Sequence, residues 1–207
     1  MLLKNPEHAA TKSPVLPLSP TALKKIALIG PHVHSQKDLA GNYFEEIGVG
    51  TCAGPTCITT IAAAMAKASS AELEVLEACS DVPCKSANIS GAIEASAGAD
   101  AIVLAMGISG VIEGEGHDRM DIGLPGMQYN LTKALIEAYP ATPIVLLLFN
   151  GGTRMADATS DHLPCPVTSC YCRCAGWGAC SSWPHLRARH LTVLCSGGMP
   201  ACRLQAW

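Results

Sequence analysis

Four apolar runs recur in the first 150 residues, at 25–30, 73–76, 101–106 and 144–149. The first, third and fourth are continuous rather than alternating, the pattern of strands buried on both faces of a parallel sheet. Helical periodicity lies between them. Thr59 or Thr60 can cap a helix over Ile61–Ala68, and Ser90 can cap one over residues 92–97. A third helix, over residues 127–138, follows Gly126; Leu131, Leu135 and Ala138 recur at helical spacing and Pro140 stops it. Strand–helix–strand order repeated three times predicts an α/β fold, a parallel sheet with helices on both faces and right-handed crossovers.

In such sheets ligands meet the loops at the carboxyl ends of the strands. Here those loops are 31–57, 108–125 and 150–152, all glycine-rich or polar. The first two exceed the length that a compact domain normally spends on a plain connection. The second carries the densest chemistry in the chain: Glu113, Gly114, Glu115, Gly116, His117, Asp118 and Arg119 in succession. Two carboxylates two residues apart repel, and a glycine on each side of Glu115 gives up much conformational freedom on ordering. An acid between two glycines can approach a ligand closely, as a general acid must. The alternative is a solvated acidic turn closed by an Asp118–Arg119 interaction, but the position on the ligand-binding edge favours a functional loop.

Other chemistries find less support. Gly30 ends the first strand, yet Pro31, His32, Val33, His34 and Ser35 follow without a Gly-x-Gly-x-x-Gly fingerprint, and no Walker lysine motif is present. His32, His34 and His117 read as solvated loop histidines, and His32-x-His34 has no third ligand nearby. Cys170, Cys172 and Cys174 are spaced too tightly for the usual structural zinc pairs. No cofactor and no metal are implied.

The net charge of −3 argues against nucleic acid as the main partner, and no stretch reaches the ~20 apolar residues of a membrane span. The start does not read as a secretory signal, since charge and proline follow three apolar residues; localisation stays open. Four cysteines (Cys52, Cys57, Cys79, Cys84) precede residue 160, and seven crowd the stretch from Cys165 to Cys202. An odd total of eleven leaves at least one thiol without a partner in the chain. Beyond about residue 157 no helical or alternating period is visible, so 158–207 reads as an irregular cysteine-rich tail.

The motifs resemble glycoside hydrolase family 3, whose members carry a barrel domain followed by an α/β sandwich domain. Leu2, Leu3, Lys4 and Asn5 with Leu16, Pro17 and Leu18 look like the linker leaving the barrel, and 25–31 like the first sandwich strand. Gly41, Asn42 and Tyr43 look like the turn that follows. Cys79 with Asp81, Val82 and Cys84 is similar to the β-xylosidase branch. The most specific stretch is Glu113-x-Glu115-Gly-x-Asp118-Arg119 followed by Leu124, Pro125, Gly126 and Gln128. Residues 143–148 with Gly151 and Gly152 resemble the next strand and its loop.

That resemblance implies a retaining hydrolase of terminal β-linked xylose or glucose, acting on an oligosaccharide or small β-glycoside as in xylan degradation. Glu115 occupies the position of the acid/base, with Glu113 as the second candidate and Asp118 and Arg119 as loop support. The nucleophile would be an aspartate on a barrel of ~250 residues that this chain does not contain. The expected organisation is therefore a linker at 1–24, a partial sandwich domain at 25–157, and the tail at 158–207. Such a fragment is expected to be inactive alone; the alternative is an inert binding or accessory module, or the product of a broken gene. A shifted reading frame or missed intron boundary near 153–165 would account for the tail, and translating the adjacent frames tests it.

Overall fold

The structure, a computed structural model, describes residues 2–5, 7–8, 12–40, 54–114, 116, 118–121, 123–150 and 191–196. Six strands form one sheet: β1 (Leu2–Lys4), β2 (Lys25–Ile29), β3 (Glu72–Leu76), β4 (Ala101–Gly107), β5 (Ile144–Phe149) and β6 (Leu191–Ser196), in the order β1-β6-β5-β4-β2-β3. Every pairing from β3 across to β6 is parallel, and β1 closes the edge antiparallel to β6. The four anticipated strands stand within a residue or so of their expected limits.

The continuous apolar runs follow from burial on both faces. Along β2, Ile26 and Leu28 belong to one core while Ala27 and Ile29 belong to the other. All seven residues of β4 are buried. Helix α2 (Ile61–Ala68) covers the first face through Ile61 and Ala62. Helices α3 (Ile89–Ala95) and α4 (Gln128–Ala138) cover the second through Ala92, Leu131 and Leu135. A short helix α1 (Lys37–Ala40) follows β2. Each fully buried aliphatic side chain contributes about 1.5–3 kcal/mol, so this two-sided core dominates the sheet's stability.

Local signals fix the helix ends. Thr60 Oγ1 accepts from Ala63 N and caps α2, one of the two expected threonines. For α3 the cap is Asn88 rather than Ser90: the Asn88 carboxamide oxygen accepts from Gly91 N, which starts the helix at Ile89. Asp100 pins the start of β2, its Oδ2 accepting from Lys24 N at 2.6 Å and Lys25 N at 3.0 Å.

Two strands add to the sequence reading. The segment expected as linker contributes β1, and its Asn5 side chain brackets Leu16, donating to Leu16 O at 2.6 Å and accepting from Leu16 N at 2.9 Å. Val15, Leu16 and Leu18 then pack on the face that α2 covers. Within the stretch read as an irregular tail, residues 191–196 form β6, which pairs parallel to β5. The remainder of 151–207, including the Cys170, Cys172 and Cys174 cluster and the Gly151–Gly152 pair, lies outside the described residues, as does the turn at Gly41, Asn42 and Tyr43.

Candidate functional site

The sheet order changes direction at β2: the chain goes from β2 outward to β3, then returns to place β4 on the other side. A ligand crevice of an open α/β sheet lies at such a switch point, outside the carboxyl ends of the two strands. The loops leaving β2 and β4 are the two long ones singled out above, so the Glu113–Arg119 stretch emerges beside this crevice.

Gly107 is the last residue of β4, with a φ of +139°, and a Cβ there would sit 2.1 Å from Phe149 O. Only glycine lets the strand pass this close to β5 while turning into the loop. Ile108 N still donates to Phe149 O, and Ile112 N and Glu113 N donate back to Ser109 O, forming a tight turn. At the turn and past it large apolar side chains open to solvent: Val111 is 75% and Met120 100% exposed, the large apolar residues most exposed among those described.

Within the loop, Arg119 Nε donates to Glu113 Oε2 at 2.8 Å and its Nη1 donates to Gly123 O at 2.9 Å. Arg119 therefore reaches Glu113 rather than the adjacent Asp118, whose side chain is exposed. The turn at Ser109 brings Glu113 alongside the guanidinium, six residues away in sequence. The loop returns through Gly123, whose N–H donates to Asp121 Oδ1, and buries Leu124 before entering α4. Glu115 and His117 fall outside the described residues; Gly114, Gly116 and Asp118 around them are described.

The β2 side of the crevice holds a correction. His32, expected as a solvated loop histidine, is fully buried, its ring centroid 4.7 Å from that of Phe149 at the end of β5. Pro31 and His32 turn inward because His32 N still donates to Ala105 O, continuing the ladder one step past β2. His32 Nδ1 lies 3.6 Å from Asp38 Oδ2, beyond the usual hydrogen-bond distance. His32 beside it, together with the Ser35 hydroxyl at 2.8 Å, holds the Asp38 carboxyl below the ordinary carboxylate value despite its partial burial. His34, by contrast, is exposed as expected. Sequence alone gives no signal for the inward turn, which depends on Phe149 from a distant strand.

The Cys79-x-Asp81-Val82-x-Cys84 stretch closes on itself. Cys79 and Cys84 form a disulfide, and Cys57 is also disulfide-bonded. The small loop that Cys79–Cys84 closes abuts the return of the 108–125 loop: Met127 N donates to Cys84 O at 2.8 Å. Gly126, with φ +52°, passes so close that a Cβ would lie 2.3 Å from Cys84 O and Pro83 O. Among the described residues no group of three or more histidine, cysteine or acidic side chains could hold a metal ion, and no helix is long and apolar enough to cross a membrane.

Residues 1–174 match the model of the glycosyl hydrolase family 3 C-terminal domain. The chain is 39% identical over 137 residues to beta-D-xylosidase 3 of Arabidopsis thaliana, covering 66% of this chain and 16% of that protein. Among solved structures, a GH3 exo-beta-xylosidase in complex with a xylobiose aziridine probe superposes with a TM-score of 0.54 at 26% identity, covering 70% of this chain and 17% of that one. The beta-glucosidase of Listeria innocua in complex with isofagomine gives a TM-score of 0.58 at 22% identity over 76% of this chain and 19% of its own, a likeness of fold. The chain thus spans about a sixth of the length of the relatives it matches.

Proposed function

The chain belongs to glycoside hydrolase family 3, matching its C-terminal domain, and on that premise we propose that it supplies the acid/base loop of a retaining β-glycosidase acting on terminal β-linked xylose or glucose. Glu115 is the general acid/base. It protonates the leaving glycosidic oxygen and, in the second half-reaction, takes a proton from the water that releases the sugar. The nucleophile is an aspartate of a barrel domain, and the two carboxyls must come within ~5–5.5 Å, so the loop has to project across the interface between the domains.

The observation that carries this reading is the loop's setting: it leaves the carboxyl end of β4 at the switch point of the sheet, with Glu113 already engaged by Arg119. A carboxylate whose oxygen accepts a charge-assisted hydrogen bond is suited to bracing a loop. Glu115, which the sequence sets between two glycines, is the acid we assign to the substrate. Arg119 holds the loop through Glu113 and Gly123, and Asp118 is assigned to the same support. Xylose is favoured over glucose because relatives such as the Arabidopsis beta-D-xylosidase 3 bear xylosidase names and because Cys79, Asp81 and Cys84 resemble that branch.

The test is an assay of the 207-residue chain alone and of the same chain joined to a family barrel, on an aryl β-xyloside and an aryl β-glucoside. The chain alone should be silent, because no glycosyl-enzyme intermediate forms without the nucleophile. The joined protein should turn over the xyloside. Turnover by the joined protein that is indifferent to Glu115→Gln on every substrate would sink the assignment.

A further inference from the structure

Gln128 is completely buried at the start of α4, where a polar side chain has to find partners for all of its amide. It finds three. Its Oε1 accepts from Gly107 N at 2.8 Å, and its Nε2 donates to Gly107 O at 2.9 Å and to Val82 O at 2.6 Å. A primary amide that both accepts from and donates to one residue's backbone does what the next strand of a sheet would do.

The sheet explains why such a surrogate is required. On one side Gly107 is in register with Phe149 of β5, but on the other β2 has ended, its last partner Ile29 standing opposite Leu104. Gly107 therefore carries a buried N–H and C=O beyond the reach of β2, and a buried backbone group without a partner is costly. Gln128 supplies both partners from 21 residues along the chain. These two residues are also the two stems of the 108–125 loop: the chain leaves the sheet at Gly107 and enters α4 at Gln128. The third bond, to Val82, ties both stems to the loop closed by Cys79 and Cys84.

We propose that Gln128 is the positioning residue of the acid-bearing loop, closing its stems by standing in for a missing strand at Gly107. The catalytic meaning of this role rests on the function proposed for Glu115, whereas the closure itself does not. Glutamine is required by hydrogen-bond polarity. An ionised carboxylate at this position could still accept from Gly107 N, but would set oxygens against the carbonyls of Gly107 and Val82. Its neutral acid form recovers one donor.

Hydrogen exchange on the full 207-residue chain tests this, with Gln128→Met and Gln128→Glu each compared with the unaltered chain at the same pH. Gln128→Met should accelerate exchange at residues 107–113 and 123–127 about tenfold, the order expected when buried donors and acceptors lose their partners. Amides of residues 102–105 in β4 should change far less. Gln128→Glu should show the same acceleration at pH 8, where the introduced carboxyl is ionised. It should return toward the unaltered chain at pH 5, because the facing carbonyls keep that carboxyl neutral to a higher pH than usual. A side chain that merely filled space would give no such pH dependence. Equal acceleration of stems and strand, failure of Gln128→Met to fold with no recovery of Gln128→Glu at pH 5, or stems unchanged in both variants would each overturn the proposal. Kinetics of Glu115→Gln in the barrel-joined protein bear on the function alone, so either idea can fail without the other.

Discussion

Strand β4 and the loop that follows it are neighbours in sequence and opposites in physics. From Ala101 to Gly107 every residue is buried; from Gly110 onward Val111, Gly116, Asp118 and Met120 are exposed. The strand is held by apolar burial on two faces, worth about 1.5–3 kcal/mol per large side chain. The described tip is held by polar contacts, chiefly one partly exposed ion pair and hydrogen bonds to backbone oxygens, where each interaction contributes only about 1 kcal/mol or less. Stability should therefore answer to the strand and chemistry to the loop, and substitutions can separate the two.

The largest effect should come from the loop and leave stability alone. In the barrel-joined protein, Glu115→Gln should slow glycosylation of substrates with poor leaving groups by ~10²–10⁴-fold, the usual contribution of a general acid. Activated aryl glycosides should suffer much less, and azide should restore part of the second step, since it needs no general base. Glu113→Gln should cost less and show no dependence on leaving group; the reverse pattern would exchange the two roles. Thermal unfolding of the 207-residue chain carrying Glu115→Gln should stay within about 0.5 kcal/mol of the unaltered chain, because the amide keeps the size and shape of the acid.

Next in size, Leu104→Ala should destabilise the 207-residue chain by about 2–5 kcal/mol in denaturant unfolding, through lost burial and a cavity in the middle of the sheet. An effect under 1 kcal/mol would mean that this strand is not the centre of the core. Arg119→Gln should cost roughly 1 kcal/mol, because the Glu113 contact is partly exposed and the Gly123 bond is a single one. Its exchange signature should be confined to the loop.

The smallest effect is one of pH. Asp38 and Asp100 both have carboxyls held below the ordinary value, Asp38 by His32 and Ser35, and Asp100 by the Lys25 and Lys24 N–H groups. For a carboxylate whose folded pKa is depressed, the stabilisation is complete above the ordinary value near 4 and is lost as pH falls through the folded value. Unfolding midpoints should thus be flat from pH 7 down to about 5 and fall below 4, less steeply in Asp100→Asn. An Asp100→Asn variant with the unaltered acid slope would remove that residue from the account.

Much of this division was legible beforehand, for identifiable reasons. Residues 101–106 and 144–149 are apolar throughout, and only strands buried on both faces need that. Thr60 could be anticipated as a cap because a helical period starts at the next residue. The choice of Asn88 over Ser90 could not, since both side chains can accept from a helix N-terminus and only the fold decides where the helix begins. His32 hid its burial because the ring it meets, Phe149, is over a hundred residues away. Gln128 did leave a trace. It shares the helical face of Leu131 and Leu135, three and seven residues on, and an amide on an apolar stripe announces a buried partner. At the site itself, Glu113, Asp118 and Arg119 were recognised as one cluster, but the partner chosen by Arg119 depended on the turn at Ser109.

The clamped stems also say where this protein can tolerate change in length. Gly107 and Gly126 have no room for a single added carbon, and Gln128 spans the gap between β4 and α4, so an insertion at either end would dislodge the sheet. Near Met120, whose side chain is wholly exposed on this chain, extra residues would leave the sheet's own packing untouched. Doubling the loop there would cost about 0.6 kcal/mol in closure entropy. The segment proposed to bear the chemistry is therefore the one an engineer, or descent with insertion, could lengthen, graft or label while the sheet beneath it stays as it is.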